Sequence, residues 1–170
     1  TMKIFTASQI RACDDFTIRN KPVSSLLLME RAAQKCTDYL FKYLDIKQKI
    51  YIFCGNGNNG GDGFAIARML YYLNFDVEIY INKSLQNFSK DATINFNLLK
   101  GLSGIEIKDF SEFDSSEIDE NEVIIDAVFG SGLNRKLEGE LAETIGKMNS
   151  AKGTKISIDI PSGLFSDEMI

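Results

Sequence analysis

Apolar positions follow two rhythms along the chain. Leu26, Leu27, Leu28, Ala32, Ala33, Cys36, Leu40 and Tyr43 recur at helical spacing within 23–44. A further helix is predicted over 7–20, with Pro22 separating the two. From residue 49 the pattern changes. KIYIFC at 49–54 is a short unbroken apolar run that ends in glycines, so it predicts a buried strand. A helix over 62–73 follows, carrying Phe64, Ala65, Ala67, Leu70 and Tyr71. The pair repeats as DVEIYIN at 76–82 and a helix over 88–101. Residues 103–121 are acidic and less regular, with a short strand expected near 105–107. EVIIDAV at 122–128, a helix over 137–149 and KISIDI at 155–160 complete the series, and Pro161-Ser162-Gly163 stops the last strand. Strands that are apolar along their whole length and alternate with helices imply a mostly parallel sheet covered on both faces. That is a Rossmann-like α/β/α sandwich of three layers. With no internal repeat and no linker, 1–170 reads as a single domain.

Composition narrows the chemistry. Apolar residues make up 44% and charged residues 25% of 170, enough for an ordinary core. The net charge of −5 argues against a broad nucleic-acid or membrane surface, and there is neither a signal-peptide pattern nor a transmembrane run, so a cytoplasmic location is expected. Cys13, Cys36 and Cys54 fit neither a zinc pattern nor a disulfide framework and are expected to be idle thiols. The chain contains no histidine, which excludes Ser-His-Asp and Cys-His catalysis and histidine-based zinc sites. Acid–base work must fall to Asp, Glu, Lys, Tyr or Cys.

Three strands end in loops of unusual composition, and in an open parallel sheet all three belong to the carboxyl edge, where such folds bind ligands. The first, GNGNNGGDG at 55–63, fits G-x-G-x-x-G between a strand and a helix. Glycines let backbone N–H groups approach an anion, and the following helix adds its positive end. A tight turn alone would need fewer than the five glycines and three asparagines found here. The loop is not a P-loop, because Gly60 is followed by Gly61 and Asp62 rather than Lys and Ser/Thr. Nor is it an ordinary dinucleotide site, because the second strand ends in Ile81-Asn82-Lys83 without the ribose-binding acid.

The second loop, DAVFGSG at 126–132, places Asp126 near a strand end and follows its glycines with Asn134, Arg135 and Lys136. Those two cations suit phosphate as well as they suit a solvated first helical turn. In the third, Asp159 ends an apolar strand, where partial burial would raise its pKa and make it a usable acid or base. A turn-forming Asp beside Pro161 is the competing account.

LLMERAA at 27–33, GNGNNGGDGFAIARML at 55–70, DAVFGSGLNRKLEG at 126–139 and SIDIPSGL at 157–164 resemble, in order and spacing, the signature blocks of the YjeF amino-terminal domain, the NAD(P)H-hydrate epimerases. The resemblance spans 8–164. Glu30-Arg31-Ala32-Ala33 departs from the Glu-Asn-Ala-Gly of many members. The resemblance implies a substrate, NADHX or NADPHX, in which water has added to C6 of the nicotinamide ring. It implies interconversion of the R and S epimers, so that a dehydratase specific for S, separate or fused, can repair both. It also implies a homodimer, further strands after the end of this chain, and one potassium ion per subunit. By resemblance Asn59, Asp126 and Ser162 match the potassium positions. Asn58, Asn59, Gly60, Gly61 and Asp62, and Gly130, Ser131, Gly132, Leu133, Asn134, Arg135 and Lys136, match the substrate loops, and Asp159 the carboxylate beside the nicotinamide.

The chemistry implied is protonation and loss of the C6 hydroxyl, a planar iminium, and return of water to the other face, with Asp159 first giving and then taking a proton. An oxygen-only donor set suits potassium, although the three side chains could equally bond one another. Two other functions compete. A non-catalytic nucleotide-binding or scaffold module of the same fold would tend to lose the acid or the full glycine loop, and both are present. A small-molecule or lipid kinase would need a phosphate-gripping lysine that the loop lacks.

Overall fold

The computed structural model describes residues 5–21, 23–84 and 87–166. Five strands, β1 (Lys49–Cys54), β2 (Asp76–Ile81), β3 (Glu106–Asp109), β4 (Val123–Ala127) and β5 (Thr154–Ser157), form one sheet in the order β3-β2-β1-β4-β5. Every pairing is parallel. The helices are α1 (Ala7–Asn20), α2 (Ser25–Tyr43), α3 (Asn58–Tyr72), α4 (Lys90–Lys100) and α5 (Gly139–Ser150). Pro22, expected between the first two, lies outside the described residues. No helix among the described residues is long and apolar enough to cross a membrane.

The strand alternation sorts side chains into two cores. Ile50, Ile52, Cys54, Ile79, Ile125 and Ala127 point to the face covered by α2, α3 and α4. Tyr51, Phe53, Tyr80, Ile124 and Val128 point to the other, where Ile145 and Met148 of α5 and the short turns carrying Phe110 and Phe113 close over them. Phe53, fully buried, stacks on Tyr80 at 4.8 Å and meets Phe113 edge-on at 4.7 Å. Such paired rings add specificity to the area they bury. The sheet is thus the middle of three layers, as its unbroken apolar strands require. On that second face Glu78 is also buried. Its carboxylate accepts from Tyr80 Oη at 2.6 Å and pairs with Lys49 Nζ at 2.7 Å and Lys108 Nζ at 3.0 Å. Burial alone would push its pKa up, but those three donors outweigh it and hold the carboxyl below its ordinary value.

Two boundaries differ from expectation for physical reasons. The helix expected from residue 62 starts at Asn58, so it takes in Gly60, Gly61 and Gly63 despite their poor helix propensity. Packing overrides propensity: a Cβ on Gly60 would lie 1.8 Å from the Gly55 carbonyl oxygen, and one on Gly63 2.7 Å from both Cys54 Sγ and Ala127 Cβ. The last strand, expected to reach residue 160, stops at Ser157, because Asp159 turns into the left-handed region at φ 68°. The Glu30–Arg68 ion pair ties α2 to α3.

Candidate active site

The order β3-β2-β1-β4-β5 reverses between β1 and β4, so the loops after those two strands leave in opposite directions and open a crevice at the carboxyl edge. A cleft of about 530 Å³ lies there, within the usual range for small-molecule sites. The β1 loop forms its floor. Gly55 lies so close to the β4 loop that a Cβ would come within 2.0 Å of the Val128 carbonyl oxygen, so only glycine fits. Gly57 then caps α3 without a side-chain hydrogen bond, and no acidic residue occupies the first turn of that helix. The first N–H groups of a 15-residue helix are therefore turned toward the cleft with the positive end of its dipole. Ser89, the cap of α4, braces this arrangement by donating its hydroxyl to Asn58 Oδ1 at 2.7 Å and its N–H to the Asn56 carbonyl at 2.8 Å.

Of the residues expected to hold substrate, Asn58, Asn59, Asp62, Gly130, Ser131, Gly132, Leu133, Asn134, Arg135 and Asp159 line the cleft. Gly60 and Gly61 are buried beneath it in α3, and Lys136 is exposed outside its lining. Asp159 holds the second and third loops together: its Oδ2 accepts the Ser131 N–H at 2.6 Å. The burial expected for Asp159 does not occur, because its left-handed turn brings it to the surface of the cleft wall. The cleft carboxyl that is half-buried is Asp62 instead. Burial first, then the charges of Asp159 and Asp14, push it up to about 7.

The expected metal positions separate into two groups. Asp126 and Ser162 close on each other: Ser162 donates its hydroxyl to Asp126 Oδ1 at 2.6 Å and its N–H to Oδ2 at 2.8 Å, while the Val128 N–H reaches Oδ1 at 3.1 Å. The Phe129 N–H donates to Ser162 Oγ at 2.8 Å, so this knot fixes the start of the second loop. Asn59 bonds to neither, and among the described residues neither polar atom of its buried amide has a hydrogen-bond partner.

Helix α1 supplies a wall that sequence reasoning missed. Ile10, Arg11 and Asp14 line the cleft from that helix. Arg11 and Asp14 lie three residues apart and so share a helix face, but nothing in their spacing says which surface that face meets. Together with Arg135, Arg11 gives the cleft two guanidinium groups beside its three carboxylates Asp14, Asp62 and Asp159.

Residues 25–169 match the family described as YjeF-related protein N-terminus. An NAD(P)H-hydrate epimerase from Limosilactobacillus fermentum is 36% identical, over 98% of this chain and 78% of that protein. A bifunctional NAD(P)H-hydrate repair enzyme from Dictyoglomus turgidum is 39% identical over 98% of this chain but only 32% of its own length. The crystal structure of yeast ynu0, YNL200c, shares the fold with a TM-score of 0.72 at 19% identity, covering 95% of this chain and 72% of that one. The chain belongs to the YjeF-related protein N-terminus family.

Proposed function

We propose that this chain is an NAD(P)H-hydrate epimerase, an isomerase that interconverts the R and S forms of NADHX and NADPHX in nicotinamide nucleotide repair. The observation that carries the assignment is the cleft itself: an uncapped helix N-terminus and a carboxylate, Asp159, face the same small-molecule space in a chain without histidine. The diphosphate of the substrate would take the α3 N-terminus and the loop 130–135, with Arg11 and Arg135 as counter-charges. Asp159 would then face the nicotinamide hydrate. With its Oδ2 accepting the Ser131 N–H, its other oxygen would exchange a proton with the C6 hydroxyl, while N1 of the ring supplies the electron pair that expels it.

Potassium, one ion per subunit, fits the residues present. The amide oxygen of Asn59 is buried with no hydrogen-bond partner among the described residues, and Asp126 and Ser162 add carboxylate and hydroxyl oxygens from two other strand ends. Such an ion would hold the loops in register for the phosphates. If so, potassium chloride should raise the melting temperature above that in choline chloride, and Asn59→Ala should abolish the difference. The functional partner is a dehydratase acting on the S epimer, located in the cytoplasm with its soluble substrate. A homodimer is the expected assembly, and light scattering of the purified chain would measure it.

The test gives the protein pure R hydrate of NADH and follows the R-to-S ratio by chromatography against the spontaneous rate. Epimerisation well above that rate is expected, and Asp159→Ala should lower it by roughly 10²–10⁴-fold. A folded, ligand-binding sample that leaves the ratio at its spontaneous drift would instead make this a non-catalytic binding module.

A further inference from the structure

Inverting C6 requires water to leave from one face of the ring and return to the other. One carboxyl group lies on one side of a ring held in a cleft and is poorly placed to serve both. The cleft contains a second. Asp62 lines it from α3, the helix after β1, whereas Asp159 lines it from the turn after β5, so the two acids stand on different elements of the wall. Their surroundings differ in a way that divides labour. Asp159 is exposed and accepts a backbone N–H, an arrangement that suits a proton acceptor. Asp62 is partly buried, and no hydrogen bond to its carboxyl occurs among the described residues. Burial first, and then the charges of Asp159 and Asp14, favour its protonated form in a cleft that also carries Arg11 and Arg135. Asp14, the third acid, is exposed on α1.

Building on the epimerase assignment, we infer that Asp62 is a second catalytic acid–base, serving the face of the nicotinamide hydrate opposite to Asp159. In one direction Asp62 gives its proton to the C6 hydroxyl. The C6–O bond breaks, its electron pair leaves with the water formed, and the N1 lone pair becomes the second bond of the iminium. Water on the other side then attacks C6 with an oxygen lone pair. The C=N π pair returns to N1, and Asp159 takes the proton of the incoming water. One proton has passed from Asp62 to Asp159, and exchange with solvent or the reverse reaction restores it.

The pairing is read by oxygen exchange in ¹⁸O-labelled water, following label in each epimer by mass spectrometry and the epimer ratio by chromatography. With two acids, either one alone still expels hydroxyl and readmits water on its own face. Asp62→Asn and Asp159→Asn should each lose epimerisation by roughly 10²-fold or more. Each should keep label exchange with retention in one epimer, and the two variants should keep it in opposite epimers. The double variant should lose both signals. Asp62→Asn that epimerises within a few-fold of the parent overturns the inference, as does a single variant that loses exchange equally for both epimers while remaining folded. Asp62→Ser is the second variant should the asparagine form not fold. Failure of the parent chain to epimerise would instead reject the epimerase assignment itself.

Discussion

Gly60→Ala is the sharpest test of how the glycine loop is built. Residue 60 is inside α3, where alanine ordinarily stabilises by up to about 1 kcal/mol relative to glycine. Here the added Cβ would lie 1.8 Å from the Gly55 carbonyl oxygen and 2.5 Å from its carbon. To reach even 3.0 Å, the backbone of the loop and the start of the helix must separate by at least 1.2 Å. Gly55 cannot retreat, since it is itself pressed against the Val128 carbonyl. Overpacking against backbone on both sides belongs at the upper end of the usual 1–3 kcal/mol, so after the helix gain a net loss of about 2 kcal/mol is expected. For a chain of this size that lowers the melting temperature by roughly 4–8 °C. Gly57→Ala is the control: nothing lies within 4 Å of its Cβ position and its φ is −86°, so only a weaker helix cap opposes the chain-entropy gain. It should stay within about 1 kcal/mol of the parent. Melting curves of the three proteins decide the matter. If Gly60→Ala melts with or above Gly57→Ala, the loop does not pack as described.

Three further outcomes follow from the site and the core. Gly130→Ala puts a Cβ 2.5 Å from Asp159 Oδ2 and 3.3 Å from Asn59 Cγ, so it should cut epimerisation by about 10²-fold through misplacement, with a smaller change in melting temperature than Gly60→Ala. Asp62, lifted to about 7, holds its proton in the folded chain where the unfolded chain has released it. Stability should therefore fall as pH rises from about 4 to 7, and Asp62→Asn should be more stable than the parent by on the order of 2 kcal/mol at pH 8 and equal to it at pH 4 in urea unfolding. Glu78 has the opposite sign. Its lowered pKa contributes stability above the ordinary carboxyl range that is lost as pH falls through the folded value, so Glu78→Gln should destabilise the chain at pH 7 and progressively less on acidification, as urea unfolding would measure.

The sheet was legible because apolar runs such as KIYIFC and EVIIDAV leave few alternatives, and the three ligand loops were legible because strand ends in a parallel sheet share an edge. Depth was not legible. Asp159 and Asp62 are both acids beside glycines in the sequence, but a left-handed turn exposes the first, while helix α3 holds the second half-buried in the cleft wall. The start of that helix was misplaced because glycine's propensity is local, whereas the contacts with Gly55, Cys54 and Ala127 that decide it come from other strands and loops. Arg11 and Asp14 were missed for a related reason: a helix face is visible in spacing, but its neighbour is not.

The part played by α1 has a consequence for the order in which the molecule is completed. It is the first helix among the described residues, yet it helps enclose a cleft whose far wall is Asp159, so the pocket joins the two ends of the described sequence. Loop closure over that separation is slow, and Ala7 is the one buried residue α1 contributes to hold itself in place. Docking of α1 would thus be the last event of folding and its release the first of unfolding. A bound nucleotide bridging Arg11 to the glycine loop would then act as the clasp, and amide exchange in α1 would slow on ligand addition well before that of the central strands changed.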